Sequence, residues 1–455
     1  MKTHVLILSL LLFSSLTSVS AQADYVTLRG RVTDSGTREG LPAVVVCVEG
    51  QAIYTQTNTD GEYVLKVPAD CKDGRVVYAL MGYRRDTVSV AAALRKGDVA
   101  LASDGGRWLN EVTVTDYSPN AVARLLQDAV SRIPLNYQTD SVVGTWFYRD
   151  VRILNGEMFL FDEMVFDALR VGYDKHHSLK KLHNSNGPGN AVRIDYKRPI
   201  ESNYTSIRHD RLLLYDTAYA NRVTNGAGGS YLEYSENEVL YDPLEVPNTT
   251  SRLSAKALKR AAKRNNYTMR EVTDADGKSY YILTSHYKSS GGPFRGHGSV
   301  SFTIAKGSLA FVRIEEHSYF AMRPFFPLKK AFKEAGVDSM AMGEHVVYNY
   351  GLVEGKYTLT SYTRNEETDW YCSDSYPTGK GVQHLEKRCQ CVLTGEHKEG
   401  GSFLKHNVIQ APGSVLVGQR RADNKRYDEA FWQQYNFIPL EADLRLKLEN
   451  KLKKL

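Results

Sequence analysis

The densest group of side chains able to do chemistry is His384, Cys389, Cys391 and His397. Thiolate and imidazole suit zinc or copper, so this run is the natural place to look for a metal. Its spacing points elsewhere. Cys-x-Cys puts both sulfurs on one face of a strand, where a thiol can equally bond Cys372 or stay inert, and no metal site is expected. His176, His177 and His183, beside the polar stretch 184–190, read as a solvated loop. The carboxylate pairs Glu315-Glu316 and Glu366-Glu367 are adjacent, so on a strand their members point to opposite faces and cannot act together as a glycosidase pair. There is no Gly-x-Ser-x-Gly elbow and no Gly-x-x-x-x-Gly-Lys-Ser/Thr phosphate loop. No catalytic residue and no cofactor is assigned, and the expectation is a protein that is not an enzyme. A hydrolase with a non-sequential site is the alternative.

Five cysteines are an odd set. Cys47 with Cys71, and Cys372 with Cys389 or Cys391, are the two disulfides they could form. The competing reading for Cys47, inside the apolar run 44–48, is a buried small residue. Lys256, Lys259, Arg260, Lys263 and Arg264 make one basic face of a predicted helix over 253–264, able to meet anionic lipid but more simply a solvated face. The loop Arg323-Pro324-Phe325-Phe326-Pro327-Leu328 offers Arg323, Phe325 and Phe326 as a contact patch if exposed. If buried, the loop plugs the end of a sheet, the reading slightly favoured.

The elements that must carry these groups are mainly strands. The chain has 29 Tyr among 455 residues, and Tyr fits half-buried strands. Residues 26–90 alternate short strand and turn, including an Asp60-Gly61 hairpin signal between 53–57 and 63–67. Apolar residues at spacings of three and four predict an amphipathic helix over 120–133, ended by Pro134. Beyond it, strands are predicted at 145–150, 157–169 and 280–284, with hairpins pairing 300–304 with 309–314 and 344–352 with 356–362. A helical tail is predicted over 427–435 and 439–455. The fold class expected is mainly β (α+β): a small N-terminal sandwich, then a large curved antiparallel sheet with a few helices, analogous to a lipoprotein-carrier half-barrel.

Residues 1–21 have the layout of a secretory signal peptide, with Lys2, an apolar run of about a dozen residues and Val19-Ser20-Ala21 before Gln22. No Cys lies near the cleavage point, so a lipoprotein is not expected. Losing Lys2 lowers the net charge from +6 to +5, too thinly spread for a nucleic-acid binder. No later stretch has the length of a transmembrane helix.

Gly30-Arg31-Val32-Thr33-Asp34, Leu41-Pro42-Ala43, Thr59-Asp60-Gly61-Glu62-Tyr63 and Met81-Gly82-Tyr83-Arg84 stand in the order and spacing of the carboxypeptidase-regulatory-like domain, which this region resembles. Ala43 departs from the family's usual Gly. The resemblance implies a transthyretin-like accessory β-sandwich, common in exported proteins of Bacteroidetes-type bacteria. Leu109 to Val114 resembles the segment that often follows it, and the C-terminal part resembles uncharacterised exported proteins. Enzyme chemistry does not come with the family name. None of the 12 His is followed three positions on by Glu, the ligand pair a zinc carboxypeptidase needs.

The expected organisation is a signal peptide over 1–21, a sandwich over 25–117, a linker helix over 118–137, a β-rich domain over 138–424 and a helical tail over 425–455. The expected function is non-enzymatic binding or assembly in the cell envelope, in the periplasm or peripherally at the outer membrane, with an envelope protein, glycan or lipid as partner. A carrier of an apolar ligand is the alternative.

Overall fold

The computed structural model describes residues 25–103 apart from 52 and 81, then 112–113, 119–140, 142–170, 173, 192–194, 242–244, 267–273, 277–289, 294–323, 329–376, 379–397, 435–436 and 438–452. The N-terminal part is two small sheets. In one, β1 (Tyr25–Asp34) pairs antiparallel with β4 (Glu62–Pro68) and parallel with β7 (Val99–Leu101). In the other, the order β3 (Tyr54–Gln56), β2 (Val45–Val48), β5 (Arg75–Ala79), β6 (Asp86–Ser89) is antiparallel throughout. Alternation sends Leu28, Val32, Val46, Val48, Leu65, Val67, Val76 and Tyr78 into one core. Helix α1 (Val90–Arg95), capped by the Ser89 hydroxyl accepting from Ala92 N at 3.1 Å, joins the two sheets.

The motif residues are the joints of this sandwich. A Cβ on Gly30 would lie 2.2 Å from the Gly97 carbonyl oxygen, so only glycine lets β1 approach the segment before β7. Asp34 accepts from Gly36 N at 2.7 Å, Thr37 N at 2.9 Å and the Tyr83 hydroxyl at 2.9 Å. Those donors, the backbone ones first, hold its carboxyl below the ordinary value. The Asp60-Gly61 turn forms, with Gly61 at φ +81° and the Asn58 side-chain oxygen accepting from Asp60 N and Glu62 N. The hairpin expected across it does not form. β3 and β4 belong to different sheets, so the turn is a crossover between layers.

The rest is one open sheet with the linear order β11-β10-β9-β18-β17-β16-β15-β14-β13-β12-β8, every adjacent pair antiparallel. Its strands are β9 (Val142–Leu154), β10 (Glu157–Arg170), β12 (Tyr267–Thr273), β13 (Ser279–Ser289), β14 (Phe294–Ala305), β15 (Phe311–Met322), β16 (Val337–Val353), β17 (Lys356–Cys372) and β18 (Gly381–His397), with short β8 (Val112–Thr113) and β11 (Val192–Ile194) at the edges. β8 lies inside the stretch expected to be sandwich, yet it pairs with β12.

The inner face of this sheet packs against α2 (Pro119–Ser131) and α3 (Ile133–Asn136). Val122, Leu126, Ala129 and Ile133 meet Trp146, Tyr148, Phe302, Phe311, Tyr348 and Tyr362. At its centre the Tyr137 hydroxyl donates to Phe311 O, while Tyr173 and Tyr350 donate to the buried Asp242. Helix α4 (Lys329–Ala335) covers a second cluster with Phe332, Met340 and Cys372. On the outer face α5 (Ala442–Leu452) lays Leu444 against Val151, Ile153, Met158 and Phe161. The helices predicted at 253–264 and over most of 427–435 lie outside the described residues.

Candidate functional site

On β15 the apolar Ile314 points inward, so Arg313, Glu315, His317 and Tyr319 share the outer face. The register places His317 directly opposite His345 of β16. Their rings stack with centroids 4.0 Å apart and planes 9° from parallel. Glu315 Oε1 lies 2.9 Å from His345 Nε2 and 3.3 Å from His317 Nε2. An ionised carboxylate only accepts, so the imidazoles donate. Arg313 donates to Glu315 Oε2 from Nη2 at 3.1 Å and to Asn349 Oδ1 from Nη1 at 3.2 Å. The His345 hydrogen bond, reinforced by Arg313 and opposed by partial burial, holds the Glu315 carboxyl down at about 2. The three donor atoms Glu315 O, His317 N and His345 N all lie within 4.8 Å of one another. Chemically this is a carboxylate and two imidazoles able to share one cation.

Sequence reasoning missed this group. His317 and His345 are on different strands, and only the register of β15 with β16 joins them. The one signal on the page was Glu315-x-His317, a carboxylate and an imidazole on one strand face.

The soft-ligand run resolves differently. On β18, Leu385, Lys387, Cys389, Cys391 and Leu393 point inward and are buried, so His384 is on the opposite face. The set His384, Cys389, Cys391 therefore cannot converge; the side chain of His397 lies outside the described residues. His384 instead meets Asp369, directly across on β17, through Nδ1 at 2.7 Å. Among the described residues no hydroxyl or thiol is hydrogen-bonded to it.

Of the two readings of the cysteines, the geometry has the free thiols and neither of the possible disulfides. Cys372 is in register with Gly381, whereas Cys389 faces Arg364, eight residues along β17 from Cys372, roughly 26 Å at 3.3 Å per residue. Cys391 is farther still. Cys47 alternates with the core residues Val46 and Val48 and so faces away from the core against which Cys71 packs. Burial, with the Asp150 charge, pushes the Cys389 thiol up to about 12, and burial pushes Cys391 up as well. Both are unsuited to nucleophilic work. Of the contact patch, Arg323 is exposed at the end of β15; Phe325 and Phe326 lie outside the described residues.

The inner face beside the aromatic core carries charge. Cross-strand neighbours run Arg152, Lys387, Glu366, Glu344 in one row and Asp150, Cys389, Arg364 in the next. Arg152, Lys387 and Asp150 are each at most 2 % exposed. Arg152 pairs with Asp150 at 3.1 Å and Arg364 with Glu344 at 2.6 Å. Three basic and three acidic side chains neutralise the patch, which reads as structure more than as a ligand site.

The sandwich meets the sheet directly at β18 and through the segment 435–452. The Tyr54 hydroxyl donates to Leu393 O at 2.6 Å. Asn436 accepts from Lys66 N at 2.6 Å and donates to Lys66 O at 3.2 Å, occupying the free edge of β4 like a paired strand residue. Asp60 Oδ2 accepts from Ala442 N at 2.8 Å at the start of α5, and Arg445 pairs with Glu62 at 2.7 Å.

No helix among the described residues is long and apolar enough to cross a membrane. No curated protein and no solved structure matches the chain. One family model does, over residues 28–114, a stretch that takes in the two small sheets from Leu28 onward and runs just past β8. The two-layer sandwich at the N-terminus is a CarboxypepD_reg-like domain.

Proposed function

We propose that the chain is a non-enzymatic, exported component of the cell envelope that binds or assembles with another envelope molecule through the outer face of its large sheet. The observation that carries the reading is the contrast between the two faces of that sheet. The inner face is taken up by α2, the tyrosine core and a neutralised charge lattice. The outer face leaves Tyr319, Tyr371 and Val382 between 41 and 51 % exposed. Tyr371 and Val382 are direct cross-strand neighbours on β17 and β18, an aromatic–aliphatic pair beside His384 and Asp369 of the kind that anchors interfaces. A carrier of an apolar ligand is less well supported, because Arg152, Lys387, Glu366 and Asp150 line the face such a ligand would need.

The test is capture from solubilised envelope fractions with the chain lacking residues 1–21, beside a Tyr371→Ser/Val382→Ser variant. A protein, glycan or lipid retained by the parent chain and lost with the variant supports the reading. Nothing retained, or equal retention by both, overturns it.

A further inference from the structure

We propose that Glu315, His317 and His345 form a surface site for a borderline divalent transition ion such as Zn(II) or Cu(II), held by the two imidazole Nε2 atoms and carboxylate Oε1. The site does not rest on the partner-binding reading. Zn–N and Zn–O bonds of about 2.0–2.2 Å in tetrahedral geometry put neighbouring donors roughly 3.3 Å apart. Here Oε1 is 2.9 Å from one Nε2 and 3.3 Å from the other, and all three donors fall within 4.8 Å. Seating the ion requires the imidazoles to turn out of their parallel stack, because each Nε2 lone pair lies in its own ring plane, and to give up the Nε2 protons.

The backbone has already done the positioning. His317 and His345 are directly opposed on adjacent antiparallel strands, a placement that brings two side chains onto one point. Glu315 is two residues from His317 on the same strand face. Its second oxygen is held by Arg313, which is itself held by Asn349, leaving Oε1 toward the imidazoles. Such outer hydrogen bonds orient the carboxylate ligands of metal sites.

The plain alternative is a surface ion cluster with both histidines protonated. The two readings differ in what lies between the donor atoms: in the ion cluster Nε2 protons bridge to Oε1, whereas a bound ion takes the place of those protons. A neutral imidazole beside a carboxylate is a ligand set. With three protein ligands, further positions on the ion stay open to water or another donor.

The experiment uses the purified chain lacking residues 1–21, stripped with chelator and desalted. Zinc chloride is titrated calorimetrically at pH 7.5, and cupric chloride is followed by electron paramagnetic resonance. The expected result is one equivalent bound, with an apparent Kd raised at least about tenfold in His317→Ala and in His345→Ala. The copper spectrum should fall from two coupled nitrogens to one in each variant. Glu315→Gln, which keeps shape and loses charge, should weaken zinc similarly. It serves as the deciding variant if a histidine variant loses its near-ultraviolet circular dichroism. His286→Ala is the control. That residue lies on the same face, separated from His317 by Ser299 of β14, about 10 Å away by strand spacing, and should bind zinc like the parent. No binding by the parent chain, unchanged binding in the site variants, or equal loss in His286→Ala overturns the site.

Discussion

Asp150 and Arg152 stand two apart on β9 and share the inner face, where the partner of each is worth more than either charge alone. Taking one away strands the other out of water. Asp150→Ala is therefore expected to lower the unfolding free energy by about 3–5 kcal/mol, read as a shifted midpoint in urea with an unchanged slope. Cys389 donates to the same carboxylate at 3.7 Å and receives the Tyr148 hydroxyl. Its thiol, pushed up to about 12, and that of Cys391 should ignore a disulfide reagent at pH 8.5 while the protein is native. Both should react once urea unfolds the chain; rapid native labelling of either would refute the burial argument. Glu315 follows the opposite sign. Its carboxyl sits at about 2 against an ordinary 4.5, so its contribution is complete above 4.5 and is lost as pH falls towards 2.

At the scale of elements, the asymmetry of the two sandwich edges matters most. β4 ends its sheet, and Asn436 satisfies both backbone groups of Lys66 there. Asn436→Ala removes two hydrogen bonds, each worth about 0.5–1.5 kcal/mol, and leaves that edge open. Stability should fall by about 1–3 kcal/mol on the same scale, measured by chemical denaturation. How much of this was legible in the chain differs by element. The sandwich strands and the helix at 120–133 declare themselves, because their period is clean and their turns carry Gly, Asn and Asp. β10 was legible in place and length, whereas β9, β13, β14, β15, β16 and β17 were legible in place but not in length. β14 and β15 run on through Gly296, Gly298, Glu316 and Ser318, inward positions that are no longer apolar, so the alternation is lost there. β18 was legible only as the one-face spacing of Cys389 and Cys391: Lys387 points inward between Leu385 and Cys389, so the charge breaks the pattern that marks a strand. The pairing of His317 with His345 and of Asp369 with His384 needed the register of residues 28 and 15 positions on, a tertiary fact that no local pattern contains.

For the whole molecule, the last segment decides whether the sandwich and the large sheet behave as one body. Arg149 of β9 donates to Ile438 O and Pro439 O, Leu444 sits in the outer cluster, and Asn436, Ala442 and Arg445 reach back to the sandwich. One stretch of chain thus bonds both parts. Burial, with Arg29 nearby, depresses Lys66 to about 8 from 10.5, so between those values the unfolded chain binds the proton that the folded chain has released. Stability then rises with pH across that window, and the rise should vanish in Lys66→Met. Scanning calorimetry at pH 7.5 should show a single transition for the parent chain, because parts joined through shared contacts unfold together. Replacing the joint by Tyr54→Phe, Asn436→Ala and Arg445→Ala together leaves both cores intact, since none of the three side chains belongs to an apolar cluster. The single transition should then separate into two, the smaller scaled to the sandwich alone. A parent chain that already melts in two steps would mean that the sandwich and the sheet are not coupled, and a triple variant that keeps one transition would mean that they are coupled by something other than these three contacts.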